Sequence, residues 1–427
     1  MSSPLSAIGR VAALSSRQDA RLTIAWRDQL LQGGCIPGCA AALATLAEGD
    51  LVTFTWQPPE TFTALARLGG PQAPLTAQDA DAWRWRRSGS GRSRFSRLAL
   101  RHRVLRAIRD WFDAEGFIEV ETPAVVPAPS PEPHFTPFRA ERDFLITSPE
   151  FQLKRMLVGG FDKIFRLGPV FRAGEVGRLH NPEYTLLEWY RVGEGLEAMA
   201  RDLESLLAVT LPLAESLDAE GRLLVPPDPF HEAELGPAAV RGTAPFPRRT
   251  VAALFHEQLG MRIAGSRDGE ELRRAAMAAG VSGADTLTGD FEQVFFTLWN
   301  RFEHRLGRET PLLVVDWPAP LASLARLKPS DPSVAERMEC IVAGIEIANG
   351  FDELVDPREQ RLRFEQDCAL RHERGLPELP LDEKFLGALA EGMPPAAGMA
   401  LGADRLVMLL AGARSIAEVL PFAWAER

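Results

Sequence analysis

Lysine is almost missing from this chain of 427 residues, standing only at 154, 163, 328 and 384, although lysine and arginine together number 48. We read the bias to arginine as genomic base composition. Cysteine is scarce too, at Cys35, Cys39, Cys340 and Cys368. Cys35 and Cys39 form a C-x-x-x-C pair with no second Cys or His pair close by, so the four ligands of a zinc site are not assembled. No run of about 18 apolar residues occurs, which excludes an obvious membrane helix. No basic-plus-apolar leader opens the chain. These absences lead us to expect a cytoplasmic protein with reduced thiols and no membrane partner. A basic balance is lacking as well: the formal charge is −10 and the pI about 5.4. That argues against a general nucleic-acid binder while leaving room for a local basic patch.

What is present is a soluble-type composition, 46% hydrophobic, in a chain long enough for two or three domains. Residues 1–75 read as a small β-rich domain. Leu22, Ile24 and Trp26 alternate with other residues, as do Val52, Phe54 and Trp56 after a Gly49-Asp50 turn. Their aromatics suit a core better than a base-stacking surface. Residues 76–97 read as a linker. Ten arginines fall between Arg84 and Arg109 with no acidic residue among them. Such a run is either a solvated face or a docking patch for an acidic macromolecule. A helix is expected from about Leu98 to Ala114, with Leu98, Leu105, Ile108, Trp111 and Phe112 on one face. Gly116 ends it, and Phe117 to Pro123 reads as a strand. Helices are expected again at 251–259 and 290–306, and 212–246 as an irregular insertion.

Four clusters carry chemistry. In Phe171 to Arg191, two strand-like runs (Lys163 to Phe171 and Tyr184 to Tyr190) flank a polar loop of a length that is usually functional. Arg172 opens that loop, where a guanidinium either pairs with Glu175 or Glu183 or grips a phosphate. In Gly344 to Leu354, Glu346 and Glu353 flank Asn349-Gly350. If a turn there breaks the strand in two, both acids face one pocket and suit Mg²⁺, which takes carboxylate oxygens and keeps phosphates and water. In Gly398 to Leu406, a strand enters a helix at Gly402, and Arg405 is placed to stack on a base or pair a phosphate. In Thr147 to Arg155, Ser148 and Glu150 precede Gln152 and Lys154. His180 is read as structural, since an ionised carboxylate attacking a phosphate needs positioning more than a base.

The order of these clusters resembles motifs 1, 2 and 3 of class II aminoacyl-tRNA synthetases over residues 98–427. HNPEYTLLEWYR (His180 to Arg191) and the run from Gly344 to Glu365 resemble the lysyl branch, most of all the short enzymes that lysylate elongation factor P. The resemblance implies an α+β fold: a class II catalytic domain, an antiparallel sheet flanked by helices, after a small OB-like domain. It also implies homodimers through motif 1.

For the site it implies that Arg172 and Arg405 are catalytic and grip ATP with Ala173, Gly174, Asn181, Glu346, Ile347 and Gly402. Ser148, Pro149, Glu150, Glu188, Tyr190, Glu353 and Ala400 then bind the amino acid, and Glu346 and Glu353 hold Mg²⁺. The expected reaction is ATP-dependent activation of lysine or (R)-β-lysine and transfer to elongation factor P. A lysine–tRNA ligase, a carrier-protein ligase and a non-catalytic paralogue are alternatives. Two departures stand out. Ala173-Gly174 replaces the usual x-Glu after Phe-Arg, with Glu175 one place late. Ala400 stands where lysyl-tRNA synthetases carry glycine and the elongation-factor ligases alanine, which favours the protein-modifying branch and a β-amino acid.

Overall fold

Period-two alternation builds the first unit. In the computed structural model, β1 (Leu5–Leu14), β2 (Arg21–Trp26), β3 (Gln29–Cys35), β4 (Leu51–Gln57) and β5 (Thr61–Gly69) close into a barrel in the order β1-β2-β3-β5-β4. Val52, Phe54 and Trp56 point inward from β4 and pack with Val11, Leu22, Ile24 and Phe62. The aromatics are core, as the alternation implies, and the unit is an OB-like barrel. The structure describes residues 4–14, 21–27, 29–70, 93–232, 234–263, 265–266 and 268–427. Most of the arginine-rich linker, 76–92, therefore lies outside the described residues. The chain divides into two compact units, Met1–Ala99 and Leu100–Arg427.

In the second unit the apolar stripe of helix α1 (Arg94–Ala114) runs through Leu100, Val104, Ile108 and Phe112, all buried. Leu98 and Leu105, expected on this face, sit at its flank, because spacing by four continues from Leu100. The expected strand after Gly116 shrinks to β6 (Ile118–Glu119), which pairs parallel with β7 (Lys163–Phe171). Strand β7 and β8 (Glu183–Val192) form the long-looped hairpin foreseen from Phe171 to Arg191.

The sheet continues through β9 (Arg248–Thr250), β10 (Leu312–Pro318), β11 (Asp331–Val342), β12 (Ile345–Asp352) and β13 (Ala396–Gly402). Its order is β9-β10-β11-β12-β13-β8-β7-β6. Only the edge pairs β6 with β7 and β9 with β10 are parallel. One face packs on α1, on α2 (Leu196–Thr210) and on α3 (Ala403–Leu410). Two expectations are corrected. The 212–246 stretch contains a two-stranded ladder, Leu223–Val225 with Ala238–Val240. Asn349-Gly350 makes no turn: β12 runs straight through it, paired on both sides. Two ladders outweigh a local turn preference.

Candidate active site

Register assembles the site on the other face of the sheet. Glu188, Ala400, Asn349 and Glu339 form one row across β8, β13, β12 and β11. Tyr190, Gly398, Phe351 and Arg337 form the next. Residues two apart share a face, and all of these except Glu339 line one cavity of about 500 Å³. A β-bulge puts Glu346 on the same face, outside the residues that line the cavity. Cys340 pairs Ala348 but Ile341 pairs Glu346, which leaves Ile347 as the extra residue. Without that bulge, a spacing of seven would put Glu346 and Glu353 on opposite faces. The side chain of Ile347 lies in the core behind the sheet.

The end of the cavity where the resemblance places the amino acid is densely paired. Ser148 Oγ donates to Glu188 Oε2 at 2.8 Å, and Tyr190 OH donates to Glu188 Oε1 at 2.8 Å. Glu150 N donates to Ser148 Oγ at 3.1 Å. The Lys154 ammonium lies 2.5 Å from both Glu150 Oε1 and Glu353 Oε2. Burial, with Glu150 close by, pushes the Glu188 carboxyl up to about 7. Burial also raises Glu150 and Glu353, against the pull of Lys154. Gly398 makes the packing possible: a Cβ there would lie 2.3 Å from the Tyr190 ring and 2.6 Å from Glu353 Oε1. Pro149 caps the helix that carries Glu150 and Lys154 (Glu150–Val158), and Ala400 lines the cavity beside Glu188.

The region of Arg172 and Arg405, where the resemblance places the phosphates, is more open. The Arg172 guanidinium stacks 3.7 Å from the Phe135 ring centroid, and its Nε donates to Thr147 O at 3.4 Å. Glu175 approaches Arg172 Nη1 at 3.9 Å. Burial raises its carboxyl against the pull of Arg172 and Arg405. Gly174 takes a φ of +82°, which an L side chain strains to adopt. Arg405 donates to Glu346 O at 2.7 Å, to Glu346 Oε2 at 3.3 Å and to Leu179 O at 3.3 Å. It also meets His180 Nε2 at 2.7 Å. Guanidinium only donates, so His180 accepts there and carries its proton on Nδ1. Burial and Arg405 push that imidazole down to about 4, which keeps it neutral.

Other expected residues stand apart from the cavity. Asn181 spends its side chain on Glu183 O and Trp424 N, at 2.6 and 2.9 Å. Ala173 N donates to Thr136 O at 2.7 Å. Gly402 is the N-cap of α3. Asp404 ties the three motif segments together: it accepts from Arg101 Nη1 (2.5 Å) and from Thr185 N (3.0 Å).

The expectation that Glu346 and Glu353 hold one cation is not met. Seven residues of strand span roughly 20 Å, and Lys154 already occupies Glu353. The carboxyls near Glu346 are Glu339 and Glu303, raised by burial and by Glu346 to about 8 and about 7. Among the described residues no group of three or more His, Cys, Asp or Glu is arranged to hold a metal alone. An oxygen-only set of one or two carboxylates suits Mg²⁺ when phosphates complete the shell. Sequence reasoning gave no role to Lys154, Phe135, Glu339 or Glu303. The i, i+4 spacing of Glu150 and Lys154 on a helix was the available signal for the first.

A family model described as tRNA synthetases class II (D, K and N) matches residues 84–426. The chain belongs to that family. The class II fold and the OB-like barrel agree with the expectation, and membership places the chain among ATP-dependent amino-acid ligases. No helix among the described residues is long and apolar enough to cross a membrane.

Proposed function

We propose that the chain activates lysine or (R)-β-lysine with ATP and transfers it to a lysine side chain of elongation factor P. The observation that carries the amino-acid choice is the buried Glu188 and Glu353 beside the half-buried Glu150, with one ammonium, Lys154, among them. A carboxylate–phenol pair such as Glu188–Tyr190 suits an ammonium, by charge and by a neutral acceptor. An aspartate or asparagine side chain brings no cation to such a pocket.

The substrate carboxylate attacks the ATP α-phosphorus and pyrophosphate leaves, giving an aminoacyl-adenylate. The acceptor ε-amine then attacks the carbonyl, loses a proton, and AMP leaves. Arg172 and Arg405 neutralise phosphate charge, and binding of ATP frees Arg405 from Glu346. Mg²⁺, when bound, would be held by Glu346 and would offset the charge of the leaving pyrophosphate. Neutral His180 orients Arg405 and takes no proton from the substrate. The exposed Ile118 on β6, the edge strand of the sheet, supports a homodimer through motif 1.

The OB-like barrel favours a second reading, lysine–tRNA ligase, since such barrels bind oligonucleotides. Intact-mass analysis of elongation factor P co-expressed with the chain separates the two. The proposal expects a mass gain of one lysyl or β-lysyl group, lost with Arg172→Ala. Unmodified factor together with charged tRNA would favour the second reading.

A further inference from the structure

Lysine is used at only four positions in the chain, and Lys154 is the one with no exposed side-chain surface. Its ammonium is 2.5 Å from one oxygen of Glu150 and 2.5 Å from one oxygen of Glu353. Those two acids come from separate elements, the Glu150–Val158 helix and the end of β12. Glu188 sits beside them but is held differently, by Ser148 and Tyr190 hydroxyls. Arg166, opposite Glu188 in the ladder, turns its guanidinium to Pro169 O at 3.1 Å and does not line the cavity. Of the three carboxyls, Glu150 and Glu353 share the Lys154 ammonium, and Glu188 has hydroxyl partners.

We propose that Lys154 is a positioning residue that clamps Glu150 and Glu353 into one fixed acceptor set and leaves Glu188, held by hydroxyls alone, to receive a substrate ammonium. This rests on the diamino-acid reading above. Without the clamp the two acids repel each other and lose the geometry that receives the substrate. A guanidinium does not substitute, because its larger planar fork does not fit a space that the compact ammonium fills with no exposed side-chain surface. A chain that otherwise prefers arginine keeps lysine at this position.

The test begins with calorimetric binding of L-lysine and (R)-β-lysine to the parent chain, then ATP–pyrophosphate exchange by the parent, Lys154→Met and Lys154→Arg. The Met variant should raise the lysine KM by about tenfold or more. Its ATP KM, and its rate at saturating lysine, should stay near the parent's. The Arg variant keeps the charge but shifts it, and should raise the lysine KM by about threefold or more. A lysine KM at or below the parent's in a folded Met variant overturns the proposal. If the Met variant does not fold, the Arg variant decides alone: a raised lysine KM with unchanged ATP KM upholds the clamp, and parent-like values overturn it. A parent that binds lysine without exchange sinks the ligase reading only, and lysine Kd values of the variants then decide on Lys154. A parent that binds neither diamino acid overturns both.

Discussion

At the amino-acid end of the cavity, Glu188 and Glu353 are 3% and 2% exposed, and each already has a hydroxyl or ammonium partner. At the phosphate end, Glu346 keeps 37% of its side chain exposed, and Arg405 leans on it, on two neighbouring carbonyls and on His180. Removing one partner of a buried charged pair costs about 3–5 kcal/mol, whereas a pair near water is worth about 0–1 kcal/mol. The first end is therefore rigid before substrate arrives. The second is held weakly and can be reorganised by a polyanion. The proposed function assigns selectivity to the dry end and charge neutralisation to the wet one.

The comparison breaks first where charge is largest. Arg172→Ala should slow adenylate formation by about 10²–10³-fold, with lysine Kd unchanged by calorimetry. A loss of lysine affinity instead would mean that the two ends are not separable. Next is Glu188→Gln, which keeps shape and removes the carboxylate charge. It should raise the lysine KM by about thirtyfold, with the ATP KM constant in the same exchange assay.

The pH dependence sharpens the same contrast. Burial lifts Glu188 to about 7, and an ammonium binds only its ionised form. The lysine KM should therefore fall by about tenfold per unit as pH rises toward 7, then level off. The ATP KM should not follow it. A lysine KM flat between pH 5.5 and 8 would contradict the assignment. The smallest effect is expected at His180. An imidazole already neutral across this range loses little as an amide, so His180→Gln should change kcat by less than about threefold. A hundredfold loss would make it a base after all.

Much of this was legible in the sequence because it rests on local pattern. Alternation in β2 and β4 marked the barrel, and the Val251–Leu259 helix falls where its periodicity places it. The β7–β8 hairpin was visible from its two apolar runs. What escaped depends on ladders between distant segments. Asn349-Gly350 looks like a turn locally, yet both neighbours of β12 hold it extended. The bulge at Ile347, which puts Glu346 on the face that also carries Glu353, has no signature in spacing; indeed seven residues argue against a shared face. Lys154 was passed over because its second partner, Glu353, lies almost two hundred residues away. Phe135 reaches Arg172 only through the fold.

The account depends most on a pocket built for a diamino acid. The direct test is amino-acid-dependent ATP–pyrophosphate exchange by the purified chain with lysine, (R)-β-lysine, aspartate and asparagine offered in turn. The account predicts exchange with one or both diamino acids and none above background with aspartate or asparagine. Exchange driven by aspartate or asparagine, or by no diamino acid, would contradict it.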